Sequence, residues 1–165
     1  MNTFVVEPFY VDDNNACNFY TVRFDDQEIS ETDKFYDRFY QSDNEYLEDM
    51  QIIHALIEEL AISGTSIIRR SRDESRAFAL PPELIIKDCK IDVFGNKLRL
   101  YYVELAANVL VLLGGGVAHD ENNGKVPIQF QEAQLFAKKI LDEKAAYQVI
   151  KGKLIPVGDE EIIIN

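Results

Sequence analysis

The sequence predicts an α+β protein, an antiparallel β-sheet packed against an N-terminal α-helical hairpin and a C-terminal helix. Three observations carry this. Residues 98–117, LRLYYVELAANVLVLLGGGV, join two apolar runs through Ala106-Ala107-Asn108 and read as a β-hairpin at the centre of a sheet. Residues 31–62 and 128–141 repeat apolar side chains at helical spacing. Further short strand-like runs beside the central hairpin give the meander of an antiparallel sheet.

Taken in order, residues 3–10 and 18–24 are rich in β-formers and are separated by Asp12-Asp13-Asn14-Asn15, whose side chains favour turns. A hairpin is expected there, and whether it joins the main sheet is open. Ser30 followed by Asp33 forms an imperfect capping box and starts the first helix. Phe35, Tyr36, Phe39 and Tyr40 then form one aromatic face, read as core packing. After Ser42-Asp43-Asn44 a second helix runs over 45–62, with Tyr46, Met50, Ile53, Ile57 and Leu60 in a stripe and Gly64 as its C-terminal cap. A turn this short requires the two helices to pack antiparallel. His54 borders the stripe and reads as a hydrogen-bonded boundary residue.

Residues 77–80 form a strand running into Pro81-Pro82, and 84–94 supply another strand-like segment. In the central hairpin, Leu98, Leu100 and Tyr102 alternate with Arg99, Tyr101 and Val103, so one face carries a cation and a phenol. Residues 109–113 show no alternation, as suits a strand covered on both faces, and Gly114-Gly115-Gly116 mark a backbone bend. Residues 118–124 form a polar loop. A third helix follows Pro127 and is expected to run to about Val149 before Gly152. The last residues, 153–165, form a closing hairpin or bind a partner, and the sequence does not choose between these.

The length of 165 residues and the apolar content of 47% fit one core. A single domain over 1–165 is expected, with an extra β segment at 1–17 and a tail at 150–165. No apolar stretch reaches transmembrane length and the N-terminus lacks signal-peptide features, so a cytoplasmic protein without membrane contact is expected. Cys17 and Cys89 have no CxxC partner, which argues for neither a disulfide nor a metal site. The net charge of −12 is concentrated between Asp25 and Ala61, where 12 acidic residues meet only Lys34 and Arg38. The one basic island is Arg69–Arg76, RRSRDESR, with four arginines. An acidic pI near 4.6 argues against broad nucleic-acid binding but allows a local groove.

Three stretches carry a family resemblance: Tyr20-Thr21-Val22-Arg23-Phe24 with the helix at 31–39, Lys97-Leu98-Arg99-Leu100-Tyr101-Tyr102, and Val111-Leu112-Leu113-Gly114-Gly115-Gly116. With the helix at 133–140 behind them, they resemble the RelE/ParE-like toxin superfamily, in its HigB-like branch, over residues 18–144. The resemblance implies a bacterial type II toxin, neutralised by an antitoxin protein and cleaving mRNA at the ribosome without a metal or cofactor. In that chemistry a 2′-hydroxyl attacks the adjacent phosphate, which calls for proton transfer and for cations that stabilise the phosphorane. The resemblance makes Arg99 the phosphate-stabilising cation and His119 the acid/base group. Arg69, Arg70 or Arg76 would add a second cation, and Tyr101 would stack on a base or orient a phosphate.

The lysine pair that often follows the glycine exit in this family is replaced by Ala118-His119, and Asp120 and Glu121 come next. A competing reading is therefore a catalytically inactive protein-interaction module on the same scaffold. An acidic metal site at Asp120 and Glu121 lacks ligand-spaced His or Cys, and the glycine run lacks the Lys-Ser/Thr of a phosphate-binding loop.

Overall fold

The computed structural model describes residues 2–69, 76–82, 84–85, 89–118, 127–158 and 160–165. The strands are β1 (Phe4–Tyr10), β2 (Asn18–Phe24), β3 (Ile68–Arg69), β4 (Phe78–Leu80), β5 (Leu84–Ile85), β6 (Leu98–Ala106), β7 (Val109–Val117), β8 (Tyr147–Ile150), β9 (Lys153–Pro156) and β10 (Ile162–Ile164). The helices are α1 (Glu31–Phe39), α2 (Leu47–Ser63) and α3 (Ile128–Asp142). Six strands form the main sheet in the order β10-β1-β2-β7-β6-β4, while β3-β5 and β8-β9 form two-stranded pairs.

The sheet is mixed, not antiparallel as expected from sequence, because β2 and β7 run parallel, with Asn18 opposite Val109 and Thr21 opposite Leu112. Parallel neighbours require a long crossover, and the chain between them contains α1 and α2. The N-terminal hairpin does join this sheet: β1 pairs with β2 on one side and with β10 on the other. The chain end is thereby built into the sheet edge. The third helix stops at Asp142, short of the expected Val149, and residues 147–150 instead pair with Lys153–Pro156. Lys151 and Gly152, both at positive φ, make the two-residue turn between them.

Each face of the sheet has its own core. Phe19, Leu98, Leu100, Tyr102, Leu110 and Leu112 pack against Phe35 and Phe39 of α1 and Met50, Ile53, Leu56 and Leu60 of α2. The other face sets Tyr20, Val22, Tyr101, Val103, Val109 and Val111 against Ala133, Phe136, Ala137 and Ile140 of α3. The unalternating run at 109–113 follows from this double cover. Ser30 caps α1 by accepting the Asp33 N–H (3.0 Å), and a buried Thr21–Thr32 hydroxyl pair (2.6 Å) ties the first turn of α1 to β2. α1 lies chiefly on β7 and β2 rather than on α2.

The bend expected after Leu113 is a bulge. Leu100 faces Gly115 and Tyr102 faces Leu112, so two residues of β7, Leu113 and Gly114, stand opposite Tyr101 alone. Gly114 takes up the bend at φ +85, and at Gly115 a side chain's Cβ would sit 1.9 Å from the Arg99 carbonyl oxygen. These glycines let β6 and β7 stay paired past the bend, down to Leu98 opposite Val117. That extension carries Arg99.

Candidate functional site

Beyond the bulge, β6 borders a cleft of about 500 Å³. Ala79, Gly95, Asn96, Lys97, Arg99, Tyr101, Ala118 and Pro127 line it. Lys97, Arg99 and Tyr101 are alternate residues and so share one face of the chain. No carboxylate is among these lining residues. The chain as a whole carries −12, while the charged residues of the described lining are Lys97 and Arg99.

The cations are held from below. One guanidinium nitrogen of Arg99, Nη1, donates to the carbonyls of Asn96 and Leu98, both at 2.7 Å. Asn96 is buried; its Nδ2 donates to the Asp49 carbonyl of α2 (3.0 Å) and its Oδ1 accepts from the Leu98 N–H (2.9 Å). The Lys97 N–H reaches the Asp49 carboxylate at 3.3 Å, and its carbonyl accepts from Ala118 at 2.7 Å. Among the described residues Arg99 forms no ion pair. Its carbonyl contacts orient the guanidinium without cancelling its charge.

Tyr101 closes the inner end, 5% exposed, with its ring 5.4 Å from that of Phe130. Burial pushes its phenol above the ordinary value, opposed by the charge of Arg99. At neutral pH it is a proton-bearing hydrogen-bond donor and not a base. Two cations and a buried phenol suit a phosphate or another oxyanion, because charge-assisted hydrogen bonds are the strong ones. Among the described lining residues none is a histidine or a carboxylate.

The other predicted site residues are placed as follows. Arg76 is exposed, and its N–H, with that of Ala77, donates to Gln134 of α3 (3.1 Å each); it does not line the cleft. Arg69 ends β3, and its side chain lies outside the described part of the structure, as do Arg70 and His119. Ala118, the residue before His119, lines the cleft. Alternation and the family resemblance give roles to Arg99 and Tyr101 but none to Lys97 or Asn96. For Lys97 the signal is plain, since it extends the Arg99–Tyr101 alternation by one step; Asn96 reads only as a turn residue.

Two other hollows differ in charge. One between α1 and β7, about 160 Å³, mixes Glu31, Lys34, Arg38 and Glu132, with Glu31 and Lys34 paired at 2.7 Å. Another, about 320 Å³, lies by β1, β9 and β10 and carries Glu7, Glu160 and Glu161. Elsewhere His54 is the hydrogen-bonded boundary residue that its position predicts: Nδ1 meets the Tyr36 hydroxyl at 2.8 Å and Nε2 the Glu58 carboxylate at 3.0 Å. Burial pushes the Tyr36 phenol up.

Among the described residues no three His, Cys, Asp or Glu side chains group as a metal would require. No described helix is long and apolar enough to cross a membrane. Compared with models of protein families, with curated proteins and with solved structures, the chain matches none.

Proposed function

We propose that the protein is the toxin-like component of a bacterial type II toxin–antitoxin module, with a RelE/HigB-like scaffold, acting on RNA in the cytoplasm through the Arg99 cleft. The observation that carries this reading is the Lys97–Arg99–Tyr101 row beside one cleft, with Lys97 and Arg99 the charged residues of its described lining, on a strongly acidic chain. The element order over residues 18–142 supports it: a strand, two helices, three short strands, the central antiparallel hairpin and a helix.

In the proposed chemistry the RNA phosphate lies over Arg99 and Lys97, which stabilise the charge that grows when the neighbouring 2′-hydroxyl attacks. Tyr101 donates a hydrogen bond to a phosphate oxygen. His119 takes the 2′-hydroxyl proton as that oxygen bonds to phosphorus and returns it to the 5′-oxygen as the P–O5′ bond breaks, leaving a 2′,3′-cyclic phosphate and a free 5′-hydroxyl, with Arg69 or Arg70 as a further cation. An antitoxin would silence the protein by covering Arg99.

Induced expression tests this, with growth and transcript integrity followed for wild type, Arg99→Ala, Lys97→Ala and His119→Ala. Growth arrest with transcript cleavage, relieved by Arg99→Ala and His119→Ala and weakened by Lys97→Ala, is the expected result. Intact transcripts from folded, abundant protein would overturn the nuclease reading. The second reading is an inactive interaction module on the same scaffold, favoured by the Asp120-Glu121 pair that follows His119 in place of the basic pair and would repel a phosphate. Its signature is RNA or partner binding without cleavage.

A further inference from the structure

Phe94 is 95% exposed, more than any other large apolar side chain described. Single exposed apolar residues are common, so exposure alone decides nothing. What sets Phe94 apart is that its turn is braced and stands at the rim of the cationic cleft. The Phe94 N–H donates to Asp92 Oδ1 (3.0 Å), and the Asn96 N–H donates to the Val93 carbonyl (3.3 Å). Buried Asn96 then fixes the turn to α2 and to β6 through the bonds already described. The two residues after Phe94, Gly95 and Asn96, line the cleft, and Lys97 and Arg99 follow them. The exposed ring therefore stands on the turn that leads into the cleft, just ahead of Lys97 and Arg99 in the chain.

We infer that Phe94 is a stacking platform for an unpaired RNA base whose neighbouring phosphate sits on Arg99 and Lys97; the inference rests on the RNA reading above and names the single-stranded form as the ligand. An aromatic face beside a positively charged groove is how single strands are held, because every unpaired base offers a π-face while a duplex hides its own. The setting favours a base over a protein partner. Its exposed chain neighbours Asp92, Gly95 and Lys97 are not apolar, while the apolar Ile91 and Val93 are half-buried, so the fully exposed side chains of this turn are polar apart from Phe94 itself, unlike the apolar core of a protein interface.

The chain contains no tryptophan, so Phe94→Trp places a single indole at the proposed contact. The probe is a labelled single-stranded oligoribonucleotide, titrated into wild type, Phe94→Ala, Phe94→Trp and Arg99→Ala. Phe94→Ala is expected to weaken binding by about 5- to 150-fold, with Phe94→Trp binding as wild type and its fluorescence quenched on saturation. Normal binding by Phe94→Ala alongside loss in Arg99→Ala would overturn the stacking role while leaving the RNA cleft standing; it would turn Phe94 towards a protein partner. Bound RNA that leaves the indole fluorescence unchanged would overturn it too. Absence of binding by wild type would overturn the RNA reading itself and the stacking role with it.

Discussion

The two faces of the sheet share the same strands and do different work. On the α1/α2 face, apolar side chains run unbroken from Phe19 across Leu110 and Leu112 to Leu98 and Leu100, and helices cover them throughout. On the α3 face the apolar cover runs through Val103 and Val111 to Tyr101, whose ring meets Phe130 of α3, and Arg99 and Lys97 follow beside a cleft. Strand β6 supplies both surfaces from neighbouring residues, Leu100 inward to one core and Arg99 outward to the cleft. Polar chemistry collects where a helix stops covering its strand, and the opposite face supplies the rigidity that holds it there.

The sharpest way to break this comparison is Gly115→Ala, because both faces need β6 and β7 paired past the bulge. A Cβ 1.9 Å from the Arg99 carbonyl forces the backbone apart. A loss of upwards of about 3 kcal/mol in urea unfolding is expected, and a loss below about 1 kcal/mol would mean that the strands separate there easily.

Neighbouring substitutions on β6 separate the faces. Leu100→Ala, a fully buried side chain, should cost about 2–4 kcal/mol and leave oligoribonucleotide affinity per folded molecule unchanged. Tyr101→Phe should cost under about 1 kcal/mol and weaken that affinity. Reversal of the pattern would dissolve the division between the faces.

Cys17, in the α1/α2 core, gives a pH test. Burial, with a smaller contribution from Glu104, pushes its thiol from 9.0 up to about 12. The folded state thus holds its proton where the unfolded chain has lost it. Stability from this group is full below 9.0 and is lost as pH rises from there through about 12. The urea midpoint of wild type should fall more steeply across that range than that of Cys17→Ala; parallel curves would place the thiol in contact with water. A smaller effect is expected from Ser30→Ala, which removes the cap of α1 and should cost about 1 kcal/mol, read by the same unfolding assay.

The sequence makes the two faces of the central hairpin legible, since alternation in 98–103 assigns Leu100 and Arg99 to opposite sides and the apolar run at 109–113 signals cover on both. The caps at Ser30 and Gly64 are legible because local chemistry decides them. Which strand lies beside β7 is not, because parallel pairing with β2 depends on how α1 and α2 cross over. Residues 147–150 also escape, since Tyr147 and Val149 continue a helical pattern as readily as a strand, and only pairing with Lys153–Pro156 settles it. In the site, alternation finds Arg99 and Tyr101. Spacing along the chain cannot tell that Arg76 turns to α3 and away from the cleft lining.

The most direct test of the cleft as an RNA phosphate site is the salt dependence of oligoribonucleotide binding by wild type and by the Lys97→Ala, Arg99→Ala double variant. Removal of two phosphate contacts should weaken binding and reduce the slope of log K against log salt by roughly 1.4, at about 0.7 per contact on a single strand, while the free energy of unfolding in urea stays within about 1 kcal/mol of wild type. Equal affinities and equal slopes for the two proteins would show that the RNA, if bound at all, is held elsewhere.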